Sequence, residues 1–98
     1  MSNVNLGFQV LPKVSGDLKS YEVVDRAIEV VANSGVSYEV GPMETVMEGD
    51  LNELLEIVKK AQDACIAAGA SEVMTHVKIH YRPDGGVTID EKIGKYRD

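Results

Sequence analysis

The chain has no tryptophan, one phenylalanine, one cysteine and three prolines in 98 residues, and its sixteen acidic residues outnumber ten lysines and arginines. With aromatics at 5%, any core must be built from aliphatic side chains. A single cysteine, Cys65, has no intramolecular disulfide partner, so nothing points to an oxidising compartment and a cytoplasmic location is expected. The net charge of −6 opposes binding to nucleic acid or to anionic membranes, where cations must meet phosphates, and leaves a neutral or cationic ligand as the better fit. No long apolar run is present. The opening MSNVNLGFQVLP alternates and lacks a basic leader, so neither a signal peptide nor a membrane span is expected.

What remains is 44% hydrophobic and free of low-complexity tracts, which fits one domain over residues 1–98 burying roughly 60–68% of its unfolded surface. A small aliphatic core gives modest stability, so self-association is anticipated. Val4, Leu6, Phe8 and Val10 alternate with Asn5, Gly7 and Gln9, predicting a first strand ended by Pro12. After the loop KVSGDLKS, Tyr21, Val24, Ile28, Val31 and Ala32 recur at helical spacing, with Ser20 as N-cap and Gly35 as stop. Val36 to Val40 and Met43 to Glu48 flank Gly41-Pro42 as a hairpin. Asp50, with Glu53 three residues on, caps a second helix whose stripe is Leu51, Leu54, Leu55, Val58, Ala61 and Cys65, ending at Gly69. Val73 to Arg82 alternates as a fourth strand, and Thr88 with Glu91 caps a short terminal helix through Ile93 and Tyr96. The order β-α-β-β-α-β predicts an α+β, ferredoxin-like fold: a four-stranded antiparallel sheet, two helices on one face and a short C-terminal helix. The other sheet face, left open, is where function or assembly is to be sought.

Catalytic chemistry finds little support. His76 and His80 lie four residues apart on a strand, which separates them by about 13 Å and prevents joint metal ligation. With no second cysteine and no helical histidine pair, no metal site is expected. Cys65 falls on a buried helical stripe, no serine sits in a nucleophile elbow, and Gly85-Gly86 opens no phosphate loop. The stripe His76, Lys78, His80, Arg82 lacks the stacking aromatics of an RNA-binding sheet. Binding is the class that survives. Along the third strand Glu44, Val46 and Glu48 share one face and Met43, Thr45 and Met47 the other, with the core side left open by the pattern alone. Cross-strand pairing can bring Glu44 or Glu48 near Gln9, His76 or Lys78, as ligand groups or as interface ion pairs.

The segment ETVMEGDLNELLEIVKKAQD, preceded by YEVGPM and followed by GASEVMTHVKIHYR and TIDEKI, resembles the small ferredoxin-like thiamine-binding proteins over nearly the whole chain. The most specific piece is P-M-x-T-x-x-E-G-D at Pro42, Met43, Thr45, Glu48, Gly49 and Asp50, supported by V-K-I-x-x-R from Val77 to Arg82 and by Lys92. The resemblance implies a non-enzymatic domain that binds thiamine or its hydroxymethylpyrimidine moiety, needs no cofactor, and assembles as dimers or tetramers through sheet packing. It implies Glu48 as acceptor or counter-charge, Thr45 and Gln9 as orienting hydrogen-bonders, and Met43 or Met47 as wall. Lys13 stands where such proteins carry a small or apolar residue after the first strand, and His76 and His80 replace small or acidic residues. The rival expectation is a structural or regulatory oligomer without a small ligand. An enzyme using Glu48 as general base is the third.

Overall fold

The computed structural model describes residues 3–86 and 88–96 of the chain. Strand β1 (Val4–Lys13) is followed by helix α1 (Ser20–Ala32), strands β2 (Ser37–Val40) and β3 (Thr45–Gly49), helix α2 (Leu51–Ala67), strand β4 (Glu72–Tyr81), a short helix α3 (Ile89–Ile93) and a 3-10 turn, Gly94–Tyr96. The strands form one antiparallel sheet in the order β2-β3-β1-β4, the ferredoxin-like arrangement expected.

The pleat decides which face is core. Val4, Leu6, Phe8 and Val10 all point to the helices, and pairing Leu6 with Met47 and Phe8 with Thr45 turns those two β3 residues to the same side. Helix α1 adds Val23, Ala27 and Val31, and α2 adds Leu54, Ile57, Val58, Ala61 and Cys65. Leu6, Met47 and Leu54 are sealed from solvent, so shortening any of them to alanine would cost about 2–5 kcal/mol. Burial pushes the Cys65 thiol above its ordinary pKa, and its Sγ donates weakly to the Val23 carbonyl at 3.9 Å, consistent with a packing residue.

Several boundaries differ from the sequence expectation. Strand β1 runs through Pro12 to Lys13 because its pairing with β3 stops at Phe8; beyond that point only β4 flanks it, and a strand with one neighbour tolerates proline. Lys19, not Ser20, is the N-cap of α1, in extended conformation and without a side-chain cap. The α1 stripe is Val23, Ala27 and Val31 at i, i+4, i+8, while Tyr21 projects 81% exposed from the first turn and Ala32 faces solvent. On α2, Ile57 takes the buried place expected of Leu55. The β2–β3 turn extends from Gly41 to Glu44, closed by the Gly41 N–H donating to the Glu44 carbonyl at 2.9 Å, so Met43 lies in the turn and not in the strand. The expected caps are present: Asp50 Oδ2 accepts from the Glu53 N–H at 3.4 Å, and Thr88 Oγ1 from the Glu91 N–H at 3.0 Å.

The open face carries Asn5, Gly7 and Gln9 on β1, Val46 and Glu48 on β3, and His76, Lys78 and His80 on β4. It is not bare. The Ile89 N–H donates to Glu48 Oε1 at 3.2 Å, which fixes the start of α3 against β3 on this side of the sheet.

Candidate binding site

Strands β1 and β3 differ in length, and the difference makes a notch. The ten residues of β1 pair with β4 throughout, but β3 begins only at Thr45, opposite Phe8. The β3 side of β1 is therefore without strand pairing at Gln9 and Val10, among the described residues, and the Gly41–Glu44 turn stands off across the gap. The first turns of α1 close the gap from the helix side through Ser20, Tyr21, Val24 and Ile28. The result is a cleft of about 260 Å³ with Phe8, Val10, Val24, Ala27, Ile28, Val40 and Pro42 as apolar walls and Gln9, Tyr21, Glu44 and Thr45 as polar groups.

Two of those polar groups have no assigned task within the fold. Thr45 is only 7% exposed, yet its hydroxyl makes no hydrogen bond among the described residues, and the same is true of the Gln9 amide. Although the residue is largely buried, its hydroxyl oxygen keeps access to solvent. Here it faces the cleft, where a ligand can pair with it. Together with the uncovered edge of β1, the cleft offers a hydroxyl and main-chain groups at the rim of an apolar slot, the usual composition of a small-molecule site, while the Gln9 side chain belongs to the other face of the sheet.

Glu44 adds charge at the opening. Its side chain crosses the open face above Gly7 to Lys78, with Oε1 3.3 Å from Nζ, meeting the cross-strand expectation for this carboxylate. Gly7 permits the crossing: a Cβ there would lie 2.8 Å from Glu44 Oε1. Lys78 is 77% exposed, so the pair is worth no more than about 0.2–1 kcal/mol and can yield to a ligand.

The structure divides the five residues that the family resemblance implies. Gln9, Thr45 and the 73%-exposed Met43 all border the cleft, Thr45 from the helix face of the sheet and Gln9 from the open face. Met47 is sealed in the core, where no ligand reaches it, and Glu48 is on the opposite sheet face, engaged with the Ile89 N–H. The sequence pattern missed Tyr21, Val24 and Ile28 as lining groups; helical spacing assigned them to the core, and only the unequal strand lengths expose them to the cleft. Among the described residues no three histidine, cysteine, aspartate or glutamate side chains converge as a metal cluster, and no helix is long and apolar enough to cross a membrane.

Comparison with known proteins bears on this geometry. The family model described as thiamine-binding protein matches residues 6–97. A UPF0045 protein of Clostridium perfringens is 56% identical over 97 residues, covering 99% of this chain and all of the relative. Among solved structures, a DUF77 domain of unknown function from Bacillus cereus superposes with a TM-score of 0.91 at 59% identity, over 99% of this chain and 93% of that one. A candidate thiamine biosynthesis or salvage protein from Thermotoga maritima superposes with a TM-score of 0.85 at 37% identity, over 97% of this chain and 99% of that one.

Proposed function

Because the chain belongs to the thiamine-binding protein family, we propose that it binds thiamine, or the hydroxymethylpyrimidine moiety of thiamine, without turnover, in the cleft between β1 and the β2–β3 turn. The observation that carries this reading is the Thr45 hydroxyl, without a hydrogen-bond partner among the described residues, at an apolar slot that opens beside the uncovered edge of β1. An aminopyrimidine supplies an amine donor and ring-nitrogen acceptors, which match a hydroxyl and an uncovered strand edge. The volume of about 260 Å³ is at the small end of ligand pockets, which run from about 300 Å³ upward, so the slot suits one heteroaromatic ring. The positively charged thiazolium then lies toward the opening, near the Glu44 carboxylate and the Met43 thioether. In this reading Glu44 takes the counter-charge role, and Glu48 holds α3.

The family resemblance also supports assembly as dimers or tetramers through sheet packing in the cytoplasm. Val77, Ile79 and Tyr81 on the edge strand β4 are 40%, 47% and 54% exposed, an apolar row that a second copy can cover.

Calorimetric titration with thiamine, hydroxymethylpyrimidine and thiamine phosphate tests the binding, with Glu44→Gln as the charge variant. Saturable heat with thiamine, weakened by Glu44→Gln less for hydroxymethylpyrimidine than for thiamine, is expected. No heat and no thermal stabilisation at millimolar ligand overturns the proposal, and chromatographic detection of a product overturns the absence of turnover.

A further inference from the structure

The two edges of the sheet are built differently. Natural edge strands are kept short, bulged or interrupted by proline, because their free main-chain groups invite another chain. Strand β2 follows this pattern with four residues. Strand β4 does not: it pairs with β1 in an unbroken register from Glu72 to Tyr81, without proline, and its other side has no strand neighbour among the described residues.

The ladder with β1 fixes what that free side offers. The Arg82 N–H donates to the Asn3 carbonyl at 2.8 Å, so in this antiparallel pair the even-numbered residues of β4 turn their main-chain groups toward β1. The odd-numbered ones, Val73, Thr75, Val77, Ile79 and Tyr81, therefore present N–H and C=O outward. Their side chains lie on the helix side of the sheet, yet Val77, Ile79 and Tyr81 stay exposed, beyond the cover of α1 and α2.

A second β4 related by a two-fold axis can join this edge only in registers that oppose odd residues to odd. Centring the axis on Val77 aligns the whole strand. Val77 then faces its own copy, Thr75 faces Ile79, and Val73 faces Tyr81, a β-branched residue against an aromatic one. Each of those pairs exchanges two main-chain bonds. On the open face the same register sets Glu72 of each chain opposite Arg82 of the other, and His76 opposite Lys78. The ion pairs of Glu72 and Arg82 within the chain are long and exposed, 3.9 Å to Lys13 and 4.0 Å to Glu91, so both side chains can turn to the second copy. Moving the axis one residue forward would set Lys78 against Lys78, and one residue back would set Glu72 against His80.

We propose that two copies of this chain join β4 to β4, antiparallel and centred on Val77, in a single sheet with the helices of both on one side. The inference rests on the self-association proposed above and specifies its edge, partner and register. Thiamine binding is separate, because no β4 residue lines the Thr45 cleft.

Disulfide trapping tests the register. Across the free edge the even-numbered residues form the closer pairs, about 4.5 Å between Cα atoms, within the span of a disulfide. His76→Cys and Lys78→Cys chains, mixed and exposed to oxidised glutathione, should give a covalent heterodimer, while neither variant cross-links with itself. Cys65 is sealed in the core, so the wild-type chain supplies no background. Val77→Pro removes one outward N–H from each chain, a change that the free side of an edge strand tolerates. It should weaken self-association, measured by sedimentation, about ten-fold, with amide spectra reporting that β4 still pairs with β1. No heterodimer, self-cross-linking of either cysteine variant, or unchanged association of Val77→Pro would each overturn the proposal. Thiamine titration reads the cleft separately, so loss of β4 pairing with thiamine heat intact overturns this inference and leaves the binding reading in place.

Discussion

Replacing Thr45 with valine removes one hydroxyl and leaves shape and volume almost unchanged, so the variant separates a ligand group from a structural one. If the hydroxyl belonged to the fold, its loss would leave a partner unsatisfied and cost about 1–3 kcal/mol. It has no partner among the described residues, so folding stability should be unchanged or rise slightly, with Tm at or above the wild-type value. A ligand pairing with it would lose one neutral hydrogen bond, net about 0.5–1.5 kcal/mol, which lowers thiamine affinity about two- to twelve-fold. Thermal unfolding and calorimetric titration of the same two proteins give both numbers. A clear fall in Tm with unchanged thiamine affinity would refute the reasoning, because it would show the hydroxyl to be satisfied within the protein and irrelevant to the cleft.

Three other substitutions probe the surroundings. Glu48→Ala should raise hydrogen exchange of the α3 amides, beginning with Ile89, and lower stability by about 1 kcal/mol, while thiamine affinity stays within two-fold. Gly7→Ala puts a methyl where Glu44 Oε1 now lies, so the Glu44–Lys78 pair should open and double-mutant coupling between those residues, about 0.2–1 kcal/mol in wild type, should vanish. The Cys65 thiol, held above its ordinary pKa by burial, binds its proton more tightly in the folded chain than in the unfolded one. The stability this contributes is complete below the ordinary thiol range and declines as pH rises past it, so Cys65→Ala should flatten the alkaline fall in stability measured by urea titration.

The alternation of β1 and the spacing of α2 were readable because each element buries a single face, and periodicity reports that directly. The caps at Asp50 and Thr88 were readable for a different reason, since they are local bonds between residues three apart. Tyr21 and Leu55 were misplaced because an apolar residue at helical spacing is buried only if the sheet extends beneath it, and the sheet's extent is a tertiary property. Glu48 shows the same limit at the site. Its motif position marks it as important, but its partner, the Ile89 main chain, is forty-one residues away and contributes no side-chain signal.

The cleft follows from a mismatch that no single element contains. A ten-residue β1 set between a ten-residue β4 and a five-residue β3 must leave part of its edge uncovered. Natural sheets blunt such edges, because free main-chain groups invite pairing with another chain. Here the Gly41–Glu44 turn and the N-terminal half of α1 shield the edge from a strand while leaving room for something of about 260 Å³. Lengthening β3 would remove the slot and gain ladder hydrogen bonds, so under the proposed function the short β3 trades sheet stability for a recognition edge. Two residues inserted between Met43 and Glu44 to extend the strand should therefore raise Tm and abolish thiamine binding together. If stability rose with affinity intact, the uncovered edge of β1 would not be the recognition element.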